Sequence, residues 1–172
     1  MRIFILGAVA SGKTTLARQL AQDLGLLMLE GDCIVYDDAA RPRRKRTPQE
    51  QLALIEDTDR RGGWVAEGVY RPSYHRLAEL ADVVVMLDTP LSTRLRRVFT
   101  RYLRQQLGWE HSHYRSDWAM LRNMLRWTFR FQKDRGAWDV ALAAHRNKLL
   151  VVRTVGERAR QAVLARAKQF AQ

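Results

Sequence analysis

The stretch "GAVASGKTTLARQL", residues 7–20, follows the apolar run "RIFIL" and decides how the rest of the chain is read. Gly7, Gly12, Lys13 and Thr14 satisfy G-x-x-x-x-G-K-[ST] in full. A loop that wraps a phosphate chain must turn its backbone N–H groups inward, and glycine permits the close approach and unusual dihedrals this requires. Lys13 then reaches the β- and γ-phosphates, and the Thr14 hydroxyl ligates Mg²⁺. The flanks agree. Ile3, Phe4, Ile5 and Leu6 read as a buried strand, and Leu16, Leu20 and Leu24 line one face of a helix that Gly25 ends. Strand, loop and helix N-terminus together favour a bound anion. Gly7, Ala10, Ser11, Gly12, Lys13, Thr14 and Thr15 are therefore the candidate nucleotide-binding set, with ATP and Mg²⁺ as the expected cofactors.

Working outward, the 172 residues suffice for one α/β domain with a real core, and one domain over 1–172 is expected. No apolar run has membrane length, and the first one leads into the phosphate loop rather than a cleavage site. A soluble cytoplasmic protein without a membrane partner is the expectation. The single cysteine, Cys33, excludes an intrachain disulfide and a cysteine-based metal site, and is expected as a packed thiol. The net charge of +12 is compatible with nucleic acid, an acidic membrane surface or a highly anionic substrate. Only five of the thirty basic residues are lysine, and arginine's planar fork suits phosphate. The charge is also local: between residues 92 and 135 eleven basic side chains face three acidic ones.

The pattern alternates. Strands are expected near residues 2–6, 26–30, 64–67, 83–87 and 149–152, and helices near 13–24, 48–61, 91–107, 116–135, 137–145 and 157–170. Five short apolar strands with intervening helices predict a parallel sheet covered on both faces. "YDDAARPRRKRTP" and "GWEHSHYRS" read as mobile loops.

Ligands in such sheets lie beyond the carboxyl ends of the strands. Glu30 and Asp32 follow the second strand, Glu67, Gly68 and Arg71 the third, and Asp88 the fourth. Acidic groups there hold Mg²⁺ through its waters or take a proton from an attacking hydroxyl. Asp32 is the preferred base on the acceptor side and Glu67 the preferred ligand to metal-bound water. Asp88 also reads as a helix start, in "DTP". Arg94, Arg97, Arg101 and Arg104 form one helical stripe beside Leu91, Leu95, Val98 and Tyr102. Arg115, Arg122, Arg126, Arg130 and Lys133 form a second, opposite Trp118, Leu121, Leu125, Thr128 and Phe129. The two stripes flank "GWEHSHYRS", so a short lid-like region at about 101–135 is expected, able to exclude water and stabilise transition-state charge. His111 and His113 lack further ligands for a metal. Trp118, Trp127 and Trp138 fit core packing or helix contact better than base stacking.

"GAVASGKTT", "VAEGVYR" and "VVVMLDTP…RLRRVFTR" resemble the adenylate-kinase-like P-loop kinases, whose third strand typically ends Asp-Gly-x-x-Arg where this chain has Glu67-Gly68-Val69-Tyr70-Arg71. The resemblance implies a nucleoside-monophosphate-kinase-like fold, contacts of Arg97 and Arg101 to ATP and the transferring phosphoryl group, and an Arg71 that faces the acceptor. "GDCIVYDD", "GGWVAEGVYR" and "LRWTFRFQKDR" look like the bacterial DNA topology modulation proteins, or FlaR, themselves adenylate-kinase-related. The lid-like segment lacks the four-cysteine zinc pattern of some adenylate kinases. The leading expectation is an ATP-dependent kinase that phosphorylates a small acceptor, a nucleoside monophosphate by default with small hydroxylated metabolites open. Lys13, Asp32, Arg97 and Arg101 are expected in the catalytic roles, Asp32, Glu67, Gly68 and Arg71 beside the acceptor, and Thr14 and Glu67 at the metal. The alternative is a nucleic-acid-associated P-loop NTPase that modulates DNA topology, on the strength of the charge and of "RPRRKR". No helix-turn-helix, zinc-finger or RNA-binding signature accompanies it.

Overall fold

The computed structural model describes residues 1–69, 71–109 and 117–170. β1 (Arg2–Gly7) runs into the phosphate loop and α1 (Lys13–Leu24), which ends on Gly25 in the left-handed conformation. β2 (Leu27–Glu30), α2 (Gly31–Val35), the short strands β3 (Tyr36–Asp37) and β4 (Arg44–Lys45), and α3 (Pro48–Arg60) follow. Thr47 and Glu50 form a reciprocal capping box at the start of α3, with Pro48 in its first turn. Next come β5 (Trp64–Gly68), α4 (His75–Leu80), β6 (Val83–Leu87) and α5 (Leu91–Gln106). The chain closes with α6 (Trp118–Lys133), α7 (Arg135–Leu142), β7 (Leu149–Val152) and α8 (Glu157–Gln169).

The main sheet has the order β2-β5-β1-β6-β7 with every pairing parallel. Side chains alternate across it as the pleat demands. Phe4, Leu6, Trp64, Ala66, Val84 and Met86 point to one face, which α2, α3, α4, α6 and α7 cover through Ile34, Ile55, Leu77, Phe131, Trp138 and Leu142. Ile3, Ile5, Val65, Val83, Val85 and Leu87 point to the other, under α1 and α8. Burial on both faces explains why these strands read as unbroken apolar runs. α5 and α6 pack on each other around a small core of Val98, Leu121 and Met124, against which Val9 and Ala10 of the phosphate loop also pack.

Several expectations need correction. "YDDAARPRRKRTP" is no free loop, for it contains the β3–β4 hairpin. Side-chain pairing holds it: Arg46 and Arg44 reach Asp37 at 3.2 and 3.4 Å, Arg43 pairs with Asp38, and Arg44 meets both Glu50 oxygens at 2.8 and 2.9 Å. Trp118 and Trp127 lie outside the core, 76% and 46% exposed, Trp118 in contact with Tyr102 of α5, whereas Trp138 is buried against Phe131. α6 instead turns Leu121, Met124, Thr128 and Phe131 inward. Cys33 is exposed, because α2 turns Ile34 and Val35 into the core instead. Tyr70, His111, His113 and Arg115 lie outside the described residues, as does most of "GWEHSHYRS".

Candidate active site

The phosphate loop sits at the carboxyl end of β1, in the middle of the sheet. Gly12, at φ 98°, precedes α1 without any side-chain cap. The first N–H groups of α1 therefore have no intrahelical acceptor and are left for an anion. Ala10 is the one described non-glycine residue with positive φ, at 58°. A Cβ on Gly7 would fall 2.7 Å from Ser11 Oγ, so the tight closure of the loop also excludes a side chain there. Behind the loop, Thr89 Oγ1 donates to the Ser11 carbonyl at 3.0 Å, and Arg97 Nη1 donates to the Ser11 and Ala10 carbonyls at 2.6 and 3.2 Å. Holding the carbonyls outward turns the amides inward. Thr89 was not singled out in the sequence, and its only signal was its position just after a strand.

Lys13 Nζ lies 3.5 Å from the Ala8 carbonyl and 3.8 Å from Glu67 Oε2. Glu67 is 6% exposed, and its Oε2 has no hydrogen-bond partner. Desolvation pushes its carboxyl above the usual range; Glu30 and Asp32 add to the rise, while Lys13 and the Thr14 hydroxyl oppose it. Part of the cause is register, since Glu30 of β2 stands directly opposite Glu67 of β5 and like charges there repel. Arg18 relieves Glu30 at 3.6 Å.

Mg²⁺ in phosphoryl transfer takes one or two protein oxygens, water and phosphate. The orphaned Glu67 oxygen beside the Thr14 hydroxyl fits that requirement. Among the described residues no group of three His, Cys, Asp or Glu side chains is arranged to hold a metal alone.

Asp32 stands exposed in the first turn of α2. Tyr74, which the sequence reading passed over, fixes α2 against β5. Its buried hydroxyl donates to the Gly31 carbonyl at 2.7 Å, and burial pushes the phenol upward. A Cβ on Gly68 would meet the Tyr74 ring at 2.5 Å, and one on Gly31 would meet the Glu67 carbonyl at 2.8 Å. Both glycines thus admit the ring that sets Asp32 beside Glu67. Arg71 precedes this turn, half-buried, and its charge acts on Tyr74.

Two expected members stand elsewhere. Arg94 is only 1% exposed and leaves the cationic stripe: Nη1 donates to the Thr128 carbonyl at 3.1 Å, Nη2 to Gln132 Oε1 at 2.9 Å, and its carbon lies 4.8 Å from the Phe131 ring centre. It ties α5 to α6. Asp88 caps no helix, since Pro90 occupies the cap position of α5, and its carboxylate pairs with Arg135 at 3.3 Å. Arg101 lies exposed one turn beyond Arg97. Of the cluster "RPRRKR", Arg43, Arg44 and Arg46 are engaged within the protein, and the nucleic-acid alternative finds no support.

No family model matches the chain. It is similar to the shikimate kinase of Halorhodospira halophila, 32% identical over 110 residues that take in 56% of this chain and 61% of that enzyme. The chain thus spans about six-tenths of the length of the curated relative it matches. Among solved structures it is similar to a shikimate kinase from Acinetobacter baumannii in complex with shikimate, with a TM-score of 0.59 at 16% identity over 99% of this chain and 92% of that one. It is also similar to a gluconokinase from Sinorhizobium meliloti, with a TM-score of 0.55 at 20% identity over 99% and 93%. The sheet order, the loop and these likenesses establish a P-loop fold shared with the shikimate kinase and the gluconokinase.

Proposed function

We propose that the protein is an ATP-dependent kinase that transfers the γ-phosphoryl group to a hydroxyl of a small acceptor. The observation that carries this reading is the convergence of Lys13, Thr14 and the unpartnered Glu67 oxygen on one phosphate loop. Amides of the loop and of Lys13, Thr14 and Thr15 would bind the phosphates, with the Lys13 cation over the γ-phosphoryl group. Thr14 and Glu67 would hold Mg²⁺, which when bound neutralises charge on the phosphates. Asp32 would accept the proton of the acceptor hydroxyl as the phosphorus–oxygen bond forms, and ADP would leave. Arg97 and Arg101 would meet transition-state charge, Arg97 by exchanging a loop carbonyl for a phosphoryl oxygen. The segment 101–135 would act as the lid over a single domain.

Shikimate and gluconate, the acceptors named for the similar kinases, are hydroxylated carboxylic acids. We assign this acceptor to the same broad class, with Gly68 beside it and its anionic group held by Arg71. Membership among the topology modulation proteins rests on the sequence motifs, and under this reading such a protein acts as a kinase rather than on DNA. The test is a screen of hydroxy acids, sugar acids and nucleoside monophosphates with MgATP, following ADP. Acceptor-dependent ADP is the expected result. ADP formation stimulated by DNA alone would overturn the proposal.

A further inference from the structure

Seven of the twelve large apolar side chains that stand exposed among the described residues belong to α5, α6 and the turn after α5. Phe99, Leu103, Leu107 and Trp109 lie along and just past α5. Trp118, Trp127 and Phe129 lie on α6. On α6 the spacing is specific. At roughly 100° per residue, Trp118, Arg122, Arg126, Phe129 and Lys133 fall within an arc of about 80°, so aromatic and cationic side chains share one strip. All five are exposed. Arg126, Arg130 and Lys133 further line an open cleft with Phe129 and Asp134. The Trp118 ring leans on Tyr102 at 5.6 Å, which joins the strip to the α5 side of the hairpin.

Ordinary monomer surfaces scatter such groups singly. An amphipathic helix with arginines beside tryptophan and phenylalanine is suited to the boundary between headgroups and acyl chains, where the rings sit shallowly and the cations meet phosphate. A second copy of this chain would bring like cations face to face. A nucleic-acid backbone would satisfy the arginines but offer no apolar layer to cover Trp118 and Phe129. Among the described residues no helix is long and apolar enough to cross a membrane, and a helix lying on the surface needs no such length.

We propose that the α6 strip, Trp118 and Phe129 with Arg122, Arg126 and Lys133, docks the protein on an anionic phospholipid surface. Each basic residue near such a surface is worth about fivefold in affinity.

The experiment is co-sedimentation of the full chain with vesicles of phosphatidylcholine, alone or with about one third phosphatidylglycerol. Arg122→Ser with Arg126→Ser should bind the anionic vesicles about 25-fold more weakly than the native chain. Trp118→Ser with Phe129→Ser should lose about tenfold or more, together with the blue shift of tryptophan emission on binding. Arg158→Ser with Lys168→Ser, an equal charge loss on the exposed side of α8, should stay within about threefold. Equal weakening by the α8 pair would reduce the effect to general attraction and overturn the proposal. Equal binding to phosphatidylcholine alone, or no vesicle binding, would do the same. Loss of duplex DNA binding or of a dimer in the α6 variants, with vesicle binding unchanged, would reassign the strip.

Discussion

Replacing Lys13 by Met tests the site and its energetics together. The cation lies 3.8 Å from a carboxylate oxygen that is buried and otherwise unpartnered. At an effective dielectric near 20, that attraction is about 4 kcal/mol, and breaking a buried pair costs about 3 kcal/mol because the remaining charge is stranded. Glu67 can avoid the penalty by binding a proton, which fixes the pH dependence. Its folded pKa is already raised by burial, and loss of Lys13 raises it further. Such a group contributes stability below its unfolded pKa of about 4.3, and that contribution is lost as pH rises through the folded value. Lys13→Met should therefore be nearly as stable as the native chain at pH about 4, below the unfolded pKa, and less stable, by up to about 3 kcal/mol, at pH about 8. Glu67→Gln in the same chain should restore most of the loss at the higher pH. Turnover should behave differently: one preorganised contact to the transition state is worth about 3 kcal/mol, so ADP formation should fall a hundredfold or more in both variants. Urea denaturation at the two pH values and a coupled ADP assay measure the two effects. Unchanged turnover, or a destabilisation independent of pH, would refute the reasoning.

Gly12→Ala should cost about 1–2 kcal/mol in backbone strain at φ 98° and push its Cβ against Val155 at 2.8 Å, weakening ATP binding by about tenfold in a calorimetric titration. Val155→Ala should relieve the contact but not the strain. Arg94→Met removes two charge-assisted bonds while ending the desolvation of a guanidinium, for a net loss of about 2 kcal/mol by urea denaturation. Recovery of full stability in Arg94→Lys would show that the fork geometry is irrelevant. Arg101→Lys keeps the charge and loses the planar fork, so kcat should fall by about tenfold or more while ATP affinity changes little. A normal kcat in that variant would end its catalytic assignment.

The centre of the sheet was legible because β1, β5 and β6 are buried on both faces and leave near-continuous apolar runs, while the edge strands β2 and β7 are only partly buried. α2 and α4 were not, since "GDCIV" and "HRLAEL" are too short for a helical period to register. The β3–β4 hairpin was hidden for a different reason. Its strands have two residues each, and ion pairs with Asp37, Asp38 and Glu50 hold it, none of which periodicity reveals. On α6 the period was right but the face was wrong. Apolar residues occur on more than one side, and only packing against α5 and the sheet selected Leu121, Met124 and Phe131 over Trp118 and Phe129. Arg94 shows the same limit, because its partner is a backbone carbonyl at Thr128, far along the chain.

Local rules are broken at the phosphate loop and at the joint of α5 and α6. At the phosphate loop, Ala10 has φ 58°, Ser11 Oγ is buried without a partner, and Glu67 is buried among like charges. Such concentrated costs persist where the surroundings over-determine them, and they mark where a ligand changes the balance. The second place is the joint of α5 and α6, where Arg94 Nε and Thr128 Oγ1 are both buried and unpartnered. The two are mechanically linked. Arg94 and Arg97 lie three residues apart on α5, nearly one turn, and one holds α6 while the other holds the Ser11 and Ala10 carbonyls. A tilt of α6 against the sheet therefore reaches the phosphate loop through less than one turn of helix. Under the proposed kinase reading, closure of α6 as a lid and release of the loop carbonyls by Arg97 would be one movement rather than two.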